Sequence, residues 1–209
     1  MRTLAILPVK SFERAKQRLQ GELDPELRRQ LAEAMLLDVL ESLGASRVDE
    51  IVVVSGGARA REIAHEYGAT AVEDRDQSHN AAAMLGVRAA LALGAQRALL
   101  VPGDCPALEP MEIDELLARP VQVPSALIVP DRHGTGTNAL LLTPPGALAP
   151  SFGPDSCPRH LAHARSAGVE AEVVRVPSLA LDIDTPEDLA ALASAPGRAR
   201  RTRELLSRW

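Results

Sequence analysis

The sequence predicts an α/β domain built on a mostly parallel sheet with helices on its faces. Three observations carry this reading. Apolar runs of strand length recur along the chain, and most are followed by a segment with helical spacing of apolar residues. The changeovers fall on glycine, proline or capping side chains. The first four strands and their helices form an unbroken β–α–β–α–β–α–β run, and strands joined by crossover helices lie parallel.

In chain order, residues 3–9 read as the first strand and 25–43 as the first helix, entered through an Asp24 N-cap with Pro25 in the first turn. Strands at 51–54, 70–72 and 98–101 alternate with helices at 58–67, 80–93 and 110–118. The centre, from about Val121 to Pro154, is rich in proline and lacks a strong helical pattern. It holds strands at 126–129 and 139–142 and reads as an inserted ligand-binding region with one antiparallel strand. A helix at 157–167, a strand at 171–176 and a helix at 186–193 follow. Thr185-Pro186-Glu187-Asp188 caps the last helix with acids in its first turn. Gly44, Gly68, Gly94 and Gly168 each stand where a helix should stop. Residues 1–195 read as a single domain. Residues 196–209 read as a basic C-terminal tail, Arg-rich and without an apolar stripe, so either solvated or an extra helix. No internal repeat is visible.

Composition narrows the function. Of 209 residues, 46% are apolar and 24% charged, which is ordinary for a soluble globular protein. Aromatics make up only 2%, so the core is Ala, Leu, Val and Ile, and stacking of single-stranded nucleic acid is not expected. A net charge of -5 also lacks a nucleic-acid footprint. Cys105 and Cys157 are far apart, each beside a proline, so neither a zinc pair nor a disulfide scaffold is expected. The apolar run 4–9 is too short for a signal-peptide core, and no run reaches membrane-span length. The expected compartment is the cytoplasm, with no membrane partner.

Two glycine-bearing loops point to a phosphorylated ligand. Asp131-Arg132-His133-Gly134-Thr135-Gly136-Thr137-Asn138 has the composition of a backbone anion nest. Phe152-Gly153-Pro154-Asp155-Ser156-Cys157-Pro158-Arg159-His160 opens a helix, whose N-terminus attracts phosphate. Arg159 and His160 adjoin this loop as candidate phosphate contacts.

Cations and acids gather at strand ends. Lys10, Lys16 and Arg18 follow the first strand, where open α/β sheets bind ligands, and could neutralise a triphosphate. A solvated basic loop is the plainer alternative. Asp104 lies just past the fourth strand in Pro102-Gly103-Asp104-Cys105-Pro106 and reads as a magnesium ligand rather than a turn former. In Leu181-Asp182-Ile183-Asp184 alternation puts both acids on one face, about 6.5 Å apart. Asp182 reads as a second ligand; Asp184 is open between metal and helix cap. Glu187 and Asp188 read as dipole compensation. Ser55-Gly56-Gly57 could approach a nucleotide base, and Asn80 in Ser78-His79-Asn80 could cap its helix or contact the nucleotide. His65 and His163 read as ordinary helix residues.

These segments occur in the order Pro8-Val9-Lys10, Lys16-x-Arg18-Leu19, Val101-Pro102-Gly103-Asp104-Cys105-Pro106, the two glycine loops, and Leu181-Asp182-Ile183-Asp184-Thr185-Pro186. The series resembles the 2-phospho-L-lactate guanylyltransferases and their bacterial phosphoenolpyruvate guanylyltransferase relatives, within the nucleotidyltransferase group that includes molybdenum-cofactor guanylyltransferases. The resemblance covers roughly residues 3–193, and the pair of glycine loops is its specific part. It implies a Rossmann-like sheet of the nucleotide-diphospho-sugar transferase type, Mg2+, GTP, a three-carbon phospho-acid and a role in making coenzyme F-420. Position by position, Asp104, Asp182 and Asp184 match metal-binding acids. Thr137, Gly153 and Ser156 match contacts to the acceptor, and Lys10 and Lys16 match basic residues near the triphosphate. Ser78-His79-Asn80 departs from the Gly-Leu-Asn often seen in relatives.

The expected reaction is transfer of GMP from GTP to phosphoenolpyruvate or 2-phospho-L-lactate with release of pyrophosphate, Asp104 and Lys16 carrying the catalysis. Rival readings are a same-fold enzyme with another acceptor such as a sugar phosphate or molybdopterin, a glycosyltransferase using a nucleotide sugar, and a non-catalytic nucleotide-binding regulator. The acceptor among phosphoenolpyruvate, 2-phospholactate and 3-phosphoglycerate, and the oligomeric state, a homodimer included, are left open by the residues.

Overall fold

The apolar runs pair into one seven-stranded sheet in a computed structural model that describes residues 1–75, 78–120 and 122–208, without the Arg14 side chain. Val121, where the central region was expected to begin, and Trp209 at the end of the tail lie outside the described residues. The strands are β1 (Thr3–Pro8), β2 (Glu50–Ser55), β3 (Thr70–Glu73), β4 (Arg97–Leu100), β5 (Ser125–Pro130), β6 (Thr137–Thr143) and β7 (Glu170–Val173). The helices are α1 (Pro25–Gly44), α2 (Ala58–Glu66), α3 (His79–Ala92), α4 (Pro110–Ala118), α5 (Ser156–Ala167), α6 (Pro186–Ser194) and α7 (Arg200–Leu206).

The strand order is β3-β2-β1-β4-β6-β5-β7. β1, β2, β3 and β4 run parallel, as the alternation of strands and helices requires. β6 runs antiparallel to both neighbours, which makes it the one reversed strand expected of the central region. The last strand ends three residues early, at Val173, because the chain leaves the sheet for a 3-10 turn at Pro177–Leu179.

Every residue of β1 is buried, so its side chains alternate between two cores. Ala5 and Leu7 join the core under α1, α2 and α4; Leu4 and Ile6 join the core under α3 and α5. Gly86 in α3 lets that helix settle on β1: a Cβ there would lie 2.2 Å from Ile6 Cγ2.

Gly68, Gly94 and Gly168 end their helices with positive φ, as expected. Gly44 differs: it is the last helical residue, and Ala45 follows in the right-handed region. Of the two alternatives for the tail, the helix is found, and it is docked rather than solvated. Asp38 of α1, buried, accepts hydrogen bonds from Arg201 N (3.0 Å), Thr202 N (2.9 Å) and Thr202 Oγ1 (2.8 Å). Ala199 N donates to Pro106 O at 3.0 Å, so the helix is also tied to the loop after β4.

The chain leaves β1 toward β2 and returns to the other side of β1 for β4. That reversal opens a crevice between the carboxyl ends of β1 and β4. Because β6 is reversed, its start at Thr137 and Asn138 faces the same crevice.

Candidate active site

A cavity of about 580 Å³ occupies this crevice. Lys10, Lys16, Arg18, Asp104, Thr137, Gly153, Ser156, Asp182 and Asp184 all line it. These nine residues singled out from sequence therefore converge. Asn80 does not line the cavity: its amide donates to Phe152 O (3.2 Å) and accepts from Phe152 N (2.7 Å). Asn80 thus ties α3 to the second glycine loop, and Ser78, not Asn80, caps α3 by accepting from Ala81 N. His79 lines the cavity in its place.

Lys16 sits between two 3-10 turns, Phe12–Arg14 and Gln17–Leu19, with a φ of 54°. That left-handed residue turns its side chain inward, and its Nζ lies 2.6 Å from Asp104 Oδ2 and 2.9 Å from Asp184 Oδ1. Burial alone would lower the ammonium's pKa; the two carboxylates outweigh it and hold the pKa above the usual lysine value. Asp184 shows the reverse balance. Burial would raise its carboxyl, but Lys16, with Arg18 and Lys10, holds it below the usual range. Asp184 is therefore an acid of the site and not a cap. Thr185 caps α6, and Asp188 closes the capping box. Asp188 also accepts from Asp184 N (3.0 Å) and pairs with Arg132 (2.7 Å), a larger task than dipole compensation.

Asp182 accepts from Asn138 Nδ2 at 3.2 Å. Burial and the charge of Asp104 push its carboxyl up, with Asn138 opposing. The main chain sets the spacing of these acids, because Ile183 N donates to Asp104 O at 3.1 Å.

Among the described residues no group of three acidic, histidine or cysteine side chains stands ready to hold a metal. The chemistry nevertheless fits magnesium on fewer protein ligands. Two carboxylates, Asp104 and Asp184, hold one buried ammonium, and a third, Asp182, is raised by burial and by the charge of Asp104. Hard carboxylate oxygens on one or two acids, completed by substrate phosphates, are the usual magnesium set.

The glycine loops differ from the expectation in how they offer donors. In the first, Gly134 N bonds Asp131 O and Thr135 N bonds Asp131 Oδ1, so these amides face an acid of their own loop instead of forming an anion nest. Gly136 is small because Asp131 fills the space: a Cβ would lie 2.6 Å from Asp131 Oδ2. In the second, Ser156 N bonds Gly153 O, Cys157 N bonds Thr135 O, and Pro158 has no N–H, so the start of α5 has little left for a phosphate. Arg159 is spent on Ser151 and Pro154. His160 is fully buried and bonds Thr137 Oγ1 (3.0 Å) and Ser151 N (2.9 Å). The two loops still bring hydroxyl residues to the cavity lining: Thr137, and Ser156, whose Oγ is buried with no hydrogen-bond partner among the described residues.

A second cavity of about 260 Å³ adjoins the first and shares Lys10 and His79. Gly56, Asp74 and Ser78 also line it, which puts the turn after β2 where a base could lie.

The family described as Guanylyl transferase CofC like matches residues 3–208. The chain belongs to this family. A phosphoenolpyruvate guanylyltransferase of Conexibacter woesei is 48% identical over 214 residues, covering 99% of this chain and 96% of that one. A 3-phospho-D-glycerate guanylyltransferase of Phenylobacterium zucineum is 37% identical over 218 residues, covering 98% and 97%. A solved structure from Desulfovibrio desulfuricans G20, described as a nucleotide-diphospho-sugar transferase, shares the fold with a TM-score of 0.79 at 18% identity, covering 100% of this chain and 95% of that one. In this CofC-like chain the residues that sequence reasoning missed are His79 and Asn138. Asn138 ends the first glycine loop, but only the fold brings it to Asp182.

Proposed function

We propose that this protein transfers GMP from GTP to a three-carbon phospho-acid, phosphoenolpyruvate first, and releases pyrophosphate. The observation that carries the reading is one cavity lined by two unlike sets of side chains: acids and lysines (Asp104, Asp182, Asp184, Lys16, Lys10), and hydroxyl residues (Thr137, Ser156) with Gly153. The names of the relatives support the same donor and acceptor classes.

A phosphate oxygen of the acceptor attacks the α-phosphorus of GTP. The new P–O bond forms as the bond between the α-phosphorus and the α–β bridging oxygen breaks, and pyrophosphate carries away the electron pair. The attacking oxygen is already anionic at neutral pH, because a phosphate monoester has a second pKa of about 6. Proton removal is not needed. The obstacle is repulsion between two polyanions, and this chain meets it with fixed cations. Lys16, held from two sides, is preorganised toward charge that develops on the transferring phosphoryl group. Lys10 stands between the two cavities, where a triphosphate joins its base. Thr137 and Ser156 orient the acceptor. Asp104 and Asp182 would hold magnesium, which when bound supplies Lewis-acid neutralisation of phosphate oxygens.

The test is mass spectrometry of products from GTP and magnesium with phosphoenolpyruvate, 2-phospholactate and 3-phosphoglycerate in competition. The expected result is a GMP adduct of phosphoenolpyruvate with stoichiometric pyrophosphate. A 3-phosphoglycerate adduct in its place reassigns the acceptor. Absence of any adduct, with GTP still bound, rejects the transferase reading.

A further inference from the structure

We propose that His160 is a positioning residue for the acceptor: it fixes the Thr137 hydroxyl as a hydrogen-bond donor into the cavity. The inference rests on the phospho-acid reading above and adds a residue that touches no substrate.

Ser151 N lies 2.9 Å from His160 Nε2. A backbone amide can only donate, so Nε2 must present its lone pair. A neutral imidazole with a bare Nε2 carries its proton on Nδ1. Nδ1 lies 3.0 Å from Thr137 Oγ1, so Nδ1–H donates and the threonine oxygen accepts. The hydroxyl's own hydrogen cannot return along that line. Thr137 lines the larger cavity, and the hydrogen points there.

Three features lock the arrangement. Burial, with the nearby charges of Arg159 and His163, holds the ring neutral by lowering its pKa to about 4, so the tautomer persists through the neutral range. Arg159 donates to both Ser151 O and Ser151 Oγ, which keeps the Ser151 amide aimed at the ring. Phe152 meets the ring edge-on, with centroids 5.5 Å apart. A relay of fixed polarity therefore runs Arg159–Ser151–His160–Thr137 and ends in an O–H aimed at the ligand. Ser156 lines the same cavity, and its Oγ is buried with no hydrogen-bond partner among the described residues. Two hydroxyls with no acceptor of their own among the described residues suit an anion rich in oxygen acceptors. They add donors in loops where Gly134 N, Thr135 N, Ser156 N and Cys157 N are already taken.

The experiment has two arms on the full-length protein. Ring 15N chemical shifts, with His160 assigned by its loss in His160→Gln, report the tautomer at neutral pH. Steady-state kinetics compare two substitutions. Gln places an acceptor near Nε2 and leaves Thr137 without a donor; Asn places an N–H near Nδ1 and leaves Ser151 N unpaired. The expected results are an Nδ1–H tautomer and, for His160→Gln, a rise of about tenfold in KM for phosphoenolpyruvate with KM for GTP within about twofold. His160→Asn recovers most of that loss. Thr137→Val shows the same rise, and the double variant His160→Gln/Thr137→Val is no worse than Thr137→Val.

An Nε2–H tautomer, an imidazolium, or equal losses in both KM values for Gln and Asn overturns this inference while turnover of the parent leaves the reaction standing. A parent that turns over none of the three acids overturns the reaction, and the acceptor role of His160 with it.

Discussion

The Lys16 ammonium lies 2.6 Å from Asp104 Oδ2, across 88 positions of sequence, with 6% of its side chain exposed. A second carboxylate, Asp184, holds it from the other side. This three-part contact joins the loop after β1, the loop after β4 and the segment before α6.

Lys16→Met removes the cation from two carboxylates that are themselves partly exposed. Solvent screening reduces the usual penalty for breaking a buried pair, so the expected loss of stability is about 1–2 kcal/mol. Turnover is expected to fall by more than about 100-fold. Lys16→Arg does not restore it, because a planar guanidinium does not fit a pocket shaped for a point charge. Urea unfolding and pyrophosphate release measure the two effects. A Lys16→Met protein with parental turnover would remove Lys16 from the catalytic assignment.

Asp104→Asn is expected to lose nearly all turnover with its fold intact. Circular dichroism and pyrophosphate release on the same sample decide this. Full activity in a folded variant rejects Asp104 as an acid of the reaction.

Asp182 gives the opposite sign for stability. Its folded carboxyl titrates above the unfolded value because burial and Asp104 disfavour the anion. The folded state then holds the proton longer, so stability falls as pH rises from the unfolded pKa through the raised folded one. Asp182→Asn keeps an acceptor for Asn138 and removes the charge. It should unfold at a higher temperature than the parent at pH 7, with the gap closing below about pH 4, while turnover is lost. Magnesium should raise the parent's melting temperature and leave the variant's unchanged. A variant less stable than the parent at pH 7 contradicts this account.

Two glycines separate packing from propensity. Gly86→Ala gains helix propensity of about 1 kcal/mol but drives a methyl into Ile6, and overpacking of a full core costs about 1–3 kcal/mol, so a net loss is expected. Gly44→Ala meets nothing within 4 Å and should be neutral or stabilising by about 0.5–1 kcal/mol. Chemical denaturation of the pair reads the difference, and a stabilised Gly86→Ala would refute the close approach of α3 to β1.

Asp38→Ala should release α7. Three donors lose a buried charged acceptor, at a cost of about 2–3 kcal/mol. Hydrogen exchange is expected to quicken across Arg200–Leu206 first. Turnover below the melting range should hold, because no residue of α7 lines either cavity.

Much of the architecture was legible because its signals are local. Asp24-Pro25 and Thr185-Pro186 mark helix starts, and apolar runs mark strands, whatever surrounds them. The convergence of Lys16, Asp104 and Asp182 was legible through a rule of topology: ligands gather beyond the carboxyl ends of parallel strands. What could not be read was competition for hydrogen bonds between distant segments. The start of α5 looks like an anion site until Thr135, from the other loop, takes Cys157 N. Asn80 looks available until Phe152 claims both ends of its amide. The tail shows no stripe because few apolar side chains, Ala199, Leu205 and Leu206, meet the core, and α7 adds polar contacts from Asp38 to Arg201 and Thr202 that apolar periodicity does not register.

The bond from Ile183 N to Asp104 O belongs to the backbone, so the acidic set in the crevice keeps its dimensions whatever side chains drift around it. The hydroxyl residues have a main-chain tie of their own, Cys157 N to Thr135 O, between the segments that lead into β6 and α5. Selection for a new acceptor can therefore exchange side chains on one set without disturbing the other. A laboratory evolution campaign should find its specificity changes in residues 131–137 and 151–160, and almost none around 104 and 182.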